Sequence, residues 1–307
     1  MTRTVDHVLL TRFNLPSPGH ESLVRAREGW LRDRVALFER YCLPSVLAQS
    51  CRDFEWLVYI DPGSPSWFLS WASAHAARGH FRPVLREEVP REALLHDLRT
   101  AVGRPGDRDL LTTNLDNDDG LARDFVARVQ ASTRTAGPVA VYLAVGLVRR
   151  DDQVFLRVDE SNAFCSVREA PDEPLTCWAD WHNRLADHMP AVVLRGAPAW
   201  LQVVHGANVS NRVRGRRTDP GAHRDLFPGL LDDLPRPTVT EVLRDRVLDA
   251  PVRGVREAGR ATAKTAVSAV LGREQLDRVK VWGAATRRPF ARRDPGRGLL
   301  PNRGRNR

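Results

Sequence analysis

The chain has 307 residues, 42% of them apolar, and a formal net charge of +9. That length suits one α/β domain with a tail, and no run of about 18 apolar residues is present to cross a membrane as a helix. The N-terminus enters a strand pattern without the apolar stretch of a signal peptide, and the four cysteines (Cys42, Cys51, Cys165, Cys177) show neither CxxC spacing nor clustering; reduced thiols in a cytoplasmic protein are expected.

In chain order, residues 6–13 read as a first strand, broken by the Pro and Gly of residues 14–19. Leu31, Val35, Phe38 and Cys42 recur at helical spacing, so residues 30–41 read as a helix, and Pro44 opens a second short turn. Residues 54–60 are a buried strand ending at Asp61, followed by a helix over 67–77, a strand over 81–85 and a helix over 91–100. This alternation predicts a mainly parallel sheet covered on both faces. Residues 110–115 then form a fourth strand, running into Asp116-Asn117-Asp118-Asp119 and Gly120, with a helix expected after it. Beyond it, residues 139–148 and 153–158 read as strands joined by a hairpin at 149–152. Further strands are expected over 164–168, 191–195 and 199–204, with a helix near 181–188.

The charge is unevenly distributed. Residues 251–307 hold 15 Lys and Arg against four acids, a net +11, so the rest of the chain is −2. A weak apolar stripe (Val252, Val255, Ala263, Ala266, Val270) with Arg253, Arg256, Arg260 and Lys264 beside it predicts a basic helical extension over 220–307, its end disordered. Such a segment suits weak contact with an anionic membrane, here the inner face of the cell membrane, and no sequence-specific nucleic acid is expected.

Three carboxylates within four positions repel one another at neutral pH, so a cation beside them is expected. At a strand end, oxygen donors suit Mg²⁺ or Mn²⁺, and such an ion commonly grips phosphate oxygens. Parallel sheets bind ligands outside the carboxyl ends of their strands, where Asp61 and this loop both fall.

Here the chain resembles a known group. Ser45-Val46-Leu47-Ala48-Gln49, Asp53-Phe54-Glu55, Asp61 and the D-x-D of Asp116-Asn117-Asp118 are similar to motifs of nucleotide-sugar glycosyltransferases of the GT-A fold. More closely, Leu10-Thr11-Arg12-Phe13-Asn14, Trp30-Leu31-Arg32-Asp33-Arg34, residues 112–119 and residues 200–208 resemble the rhamnosyltransferase family, over roughly residues 6–215. The resemblance implies a GT-A-like α/β domain over 1–219 with a central mixed sheet, its nucleotide-binding half at 1–120 and its acceptor half at 121–219. It implies a metal-dependent, inverting transfer of a sugar, rhamnose, from a nucleoside-diphosphate donor to a glycan or lipid-linked acceptor of the cell envelope.

Residue by residue, the resemblance implies that Asp116 meets the ribose or the metal, Asp118 coordinates the metal at the diphosphate, and His205 is a third metal ligand. Asp61 would touch the base or ribose and Thr11 the donor, while Arg12, at the end of the first strand, reads equally as a partner of the donor phosphate or as a structural salt bridge. Asp119 would orient the acceptor or support the metal ligands. From the residues themselves, the basic run Arg212, Arg214, Arg216, Arg217 reads either as a counter-charge closing over the diphosphate or as an exposed charged loop; Arg32 and Arg34 read as surface or structural pairs. Inversion needs a general base for the acceptor hydroxyl. Glu169, Asp172, Glu173, Asp180 and His182 are candidates, and Asp180 is favoured by its place at a helix start, although the acid pair usual before that helix is absent. Trp178 and Trp181 are candidates to stack on an acceptor sugar.

Two rivals stand beside this reading. A metal-dependent phosphohydrolase with Asp116 as nucleophile normally wants Thr or Val where Gly120 stands, and a core lysine, whereas the first lysine here is Lys264. A non-catalytic membrane- or nucleic-acid-binding protein leaves the α/β core and acidic loop unexplained.

Overall fold

The computed structural model describes residues 5–16, 29–103, 108–132, 137–205 and 214–253. The chain divides into two units, Met1–Thr262 and Ala263–Arg307, and the described residues all lie in the first. They form a mixed α/β fold with two mixed sheets, as the alternation and the resemblance led one to expect.

The first sheet has strands β1 (Val5–Arg12), β2 (Glu55–Ile60), β3 (Arg82–Leu85), β4 (Asp109–Asn114), β6 (Val139–Leu143), β9 (Ser166–Glu169) and β10 (Ala191–Leu194), in the order β10-β6-β9-β4-β1-β2-β3. β3, β2, β1 and β4 run parallel; β9 is antiparallel to both β4 and β6. Alternation along the strands fills both faces. Leu9, Trp56, Val58 and Ile60 join Phe13, Phe38, Phe68 and Phe81 on one side, while Val8, Leu10, Leu57 and Tyr59 meet Leu94, Leu95 and Leu98 on the other. The first face is covered by α1 (Trp30–Leu37), α2 (Leu43–Leu47) and α3 (Ser66–Ala77), the second by α4 (Arg91–Val102).

The second sheet orders β12 (Arg216–Arg217), β8 (Gln153–Val158), β7 (Val145–Arg150), β11 (Trp200–Val204) and β5 (Gly120–Leu121) side by side. The acidic loop therefore runs from β4 of one sheet to β5 of the other. After it comes this two-residue strand and only then a helix, α5 (Phe125–Gln130).

Three expectations need correction. Residues 139–148 are two strands, because the chain changes sheets at Ala144, whose N–H donates to Leu194 O and whose carbonyl accepts from Asp159 N. The helix expected near 181–188 is a 3₁₀ segment, His182–Asp187. The break expected between Tyr41 and Pro44 is a π-helical turn, Phe38–Cys42, that carries α1 into α2; Pro44 has no N–H to give Arg40 O, and Leu43 N–H reaches back to Phe38 O.

Past the 219 boundary, Phe227, Leu230, Leu231 and Leu234 are buried with Leu147, Leu201 and Val203. Arg149 fastens them, donating to Leu230 O (2.8 Å) and to both carboxylate oxygens of Asp233 (2.9 and 2.7 Å). The last described helix is α6 (Val239–Arg244), continued by a π-helical turn over Asp245–Asp249.

Candidate active site

The acidic loop is held by its own residues at the carboxyl ends of β1 and β4. Asn117 donates to Phe13 O (2.5 Å), which pins the loop to the end of β1. Asn114 donates to Ala163 O (2.9 Å) and accepts from Trp178 Nε1 (2.8 Å), joining the end of β4 to the next segment of the cleft wall.

The carboxylates then part company. Asp118 is buried, and its Oδ2 accepts from Arg34 Nη1 at 2.5 Å and faces His205 Nε2 at 3.0 Å. Burial works to raise its pKa, but the His205 hydrogen bond and the Arg34 charge outweigh it, so Asp118 stays below the usual aspartate range. Asp119 is 1% exposed; Oδ1 accepts from Val203 N–H (2.8 Å), and Oδ2 has no hydrogen-bond partner among the described residues. Burial, then Asp118 and Asp116, push its pKa well up. Asp116 opens onto the cleft but is crowded by protein; burial and the Asp118 charge raise its pKa.

Beside the loop lies a cavity of about 580 Å³. Asp116, Asp159, Asp180 and His182 line it with the cations Arg12, Arg157 and Arg214; Trp178 supplies apolar surface, and the buried Phe164 and Trp200 back the wall. Arg12 lies 4.0 Å over the Trp178 ring, and Phe164 stacks on Trp200 at 5.1 Å. Trp181, 74% exposed, stands on the rim.

His182 has a defined tautomer. Its Nδ1 is 2.5 Å from the carbonyl of Ser161, which can only accept, so Nδ1 carries the hydrogen and the neutral ring presents Nε2 as an acceptor. Its own carbonyl accepts from Tyr142 Oη (2.5 Å). Asp180 lines the same cavity, but its Oδ2 is taken by His188 Nε2 (3.0 Å) with Arg184 at 3.6 Å, and the His188 bond lowers its pKa.

Other candidates stand apart. Glu169 does not line the cavity; it pairs with Leu110 at the start of β4, roughly 20 Å of strand from Asp116 by an extended rise, and its carboxylate clasps the Leu175 and Thr176 N–H groups at 2.7 and 2.8 Å. Thr11 is fully buried, on the opposite side of β1 from Arg12, and accepts from Trp56 Nε1 (3.0 Å). Asp61 closes a turn on Gly63 N–H (2.8 Å) beyond β2, outside the cavity lining. Asp172 and Glu173 are exposed and also outside it. Arg216 lies on β12, Arg217 reaches Glu241 (3.3 Å), and Arg212 lies outside the described residues.

Arg34, read from sequence as a surface or structural residue, is instead the cation on Asp118. No local signal marks it, since 84 positions separate the two. Arg157, ion-paired with Asp159 and donating to Gln202 at 3.0 Å, was likewise hidden in a β-hairpin strand.

Asp118 Oδ2 and His205 Nε2, 3.0 Å apart, are donor types that suit Mg²⁺ or Mn²⁺, but here the oxygen is held by Arg34 and the His205 hydrogen bond, so a metal there would have to displace both contacts. Among the described residues no three His, Cys, Asp or Glu side chains form a cage. Two protein donors suffice where substrate phosphate and water complete the shell, as is usual for Mg²⁺.

A family model described as "Putative rhamnosyl transferase" matches residues 6–217. No curated protein matches. Among solved structures, S. aureus TarS is similar at 12% identity and a TM-score of 0.38, over 65% of this chain and 37% of that one. The inositol-1-phosphate CTP transferase from T. maritima is similar at 7% identity and a TM-score of 0.38, over 76% of this chain and all of that one. The chain thus spans well under half the length of TarS.

Proposed function

Because the chain belongs to the rhamnosyl transferase family whose model matches residues 6–217, we propose that it is a metal-dependent glycosyltransferase moving a sugar, rhamnose, from a nucleoside-diphosphate donor to a hydroxyl acceptor with inversion. The observation that carries this reading is the convergence of Asp118 and His205 beside a cavity that holds Arg12, Arg157 and Arg214. An acidic pair alone would repel a diphosphate; the arginines alongside would offset that repulsion.

In this mechanism Arg12, Arg157 and Arg214 bind the diphosphate, and Arg12 is oriented by Trp178. Asp118 and His205 would hold a divalent ion, whose chemistry when bound would be to neutralise charge on the leaving diphosphate. Asp119 is a positioning residue: its grip on Val203 N–H sets the end of β11, two positions before His205. His182 Nε2 takes the acceptor proton as general base, its ring fixed through Nδ1. Asp180, drawn below its usual range and occupied by His188, suits support of the cleft wall better. The choice of rhamnose rests on the family alone.

Thermal denaturation with a panel of nucleoside diphosphates, with and without Mn²⁺, tests the donor site. Stabilisation by at least one nucleotide should require Mn²⁺ and vanish in Asp118→Asn. If no nucleotide responds to the metal, or if the variant responds like the wild type, the reading fails.

A further inference from the structure

The last described helical segment, 239–253, is turned the wrong way for a protein in water. Its polar side faces inward. Asp245 is 3% exposed and accepts from Arg217 N–H (2.8 Å) and Arg253 Nη2 (2.7 Å). Arg253 also donates to Gly215 O (3.0 Å) and lies 5.0 Å over the Phe155 ring. At the start, Thr238 and Glu241 form a reciprocal capping box, and Glu241 meets Arg217.

Its apolar side faces outward. Val239, Leu243, Val247, Leu248 and Val252 follow one another at i, i+4, i+8, i+9 and i+13, and they are between 46% and 85% exposed. The buried polar anchors forbid the helix from rolling this stripe into the core, since doing so would strand Asp245 and Arg253 without partners. A contiguous exposed apolar strip on a fixed element marks a surface that is covered by something else.

Charge decides what covers it. Arg244 and Arg246 are exposed beside the stripe, with Asp249 as a neighbouring exposed acid. Directly after Arg253 come 54 residues with 14 Lys and Arg against four acids, a net +10. A second copy of the chain would bring two such segments together, like against like. A nucleic acid would answer the charge but has no use for a row of aliphatic side chains. An anionic lipid surface answers both: acyl chains take the leucines and valines, and headgroups take the arginines. Among the described residues no helix is long and apolar enough to cross a membrane, so contact along the surface is the geometry available.

We propose that the outward apolar stripe Val239–Leu243–Val247–Leu248–Val252 seats the protein on an anionic bilayer surface. The proposal is independent of glycosyl transfer. Co-sedimentation of the full chain with phosphatidylglycerol–phosphatidylcholine vesicles, and with phosphatidylcholine vesicles alone, tests it. The wild type should pellet with the anionic vesicles and stay in solution with the neutral ones. Leu243→Glu/Val247→Glu, and separately Val239→Glu at the first turn, should weaken the anionic binding, the double variant by about ten-fold or more at unchanged tail charge. An unaltered thermal midpoint shows that each variant folds. Equal pelleting of wild type and variants would overturn the proposal, because the basic segment would then act alone. So would no pelleting of the wild type, or a lipid-free dimer in sedimentation velocity that the double variant dissociates.

Discussion

Asp119 shows how the acidic loop divides its labour. It is the most enclosed of the three acids, with one oxygen spent on Val203 N–H and the other without a partner among the described residues. A charge kept there costs stability, and the neighbouring Asp118 and Asp116 add to that cost. Asp119→Asn keeps the acceptor for Val203 and removes the charge. In chelator at pH 7 it should therefore be more stable than the wild type, by on the order of 1 kcal/mol. The sign with pH follows from the raised folded-state pKa: the penalty is present above that pKa and gone below the ordinary aspartate value of 3.8. The advantage of the variant should shrink as pH falls toward 4 in chemical denaturation. An equal or larger gap at low pH would show that Asp119 is not the strained acid.

At the scale of elements, the cleft wall depends on a close approach between β7 and β11. A Cβ on Gly146 would lie 2.0 Å from Trp200 Cδ2, and Trp200 has no easy retreat, being stacked on Phe164 and donating through Nε1 to Leu143 O (2.8 Å). Gly146→Ala should cost about 1–3 kcal/mol in urea denaturation and weaken nucleotide binding as the wall shifts. A variant with wild-type midpoint and binding would contradict this packing. Gly146 is also where sequence reading falls short. The parallel half was legible because its strands and helices carry clear periods, such as Leu31 and Val35 on α1 with Phe38 in the turn that continues it, or the apolar run of β2. The change of sheets at Ala144 was not, since residues 139–148 are an unbroken apolar run without proline, and its glycine serves the tryptophan rather than a turn. In the site, Asp118 and His205 were legible as a strand-end acid and a strand-end histidine, and the structure brings them to 3.0 Å. Arg34 and the pinned tautomer of His182 were not, because each depends on a partner distant in sequence, Asp118 and Ser161.

For the whole molecule, the acidic loop bridges two sheets, so the residues proposed for donor, metal and acceptor come from different layers. Arg12 and Asp116 stand at strand ends of the first sheet; Arg157 and His205 come from and just after strands of the second. His182 enters from the connection between β9 and β10. On the proposed reading, the phosphate-binding Arg12 and Arg157 and the base His182 thus share one cavity with Asp116, which would hold donor and acceptor side by side. Consumption of a panel of nucleoside-diphosphate sugars, rhamnose donors included, by the full chain in Mn²⁺ or in chelator tests that claim most directly. At least one donor should be turned over only with the metal, and His182→Gln should slow turnover by roughly 10²–10⁴-fold while donor affinity holds. A folded chain that consumes no donor under any metal condition, or a His182→Gln variant as fast as the wild type, would contradict it.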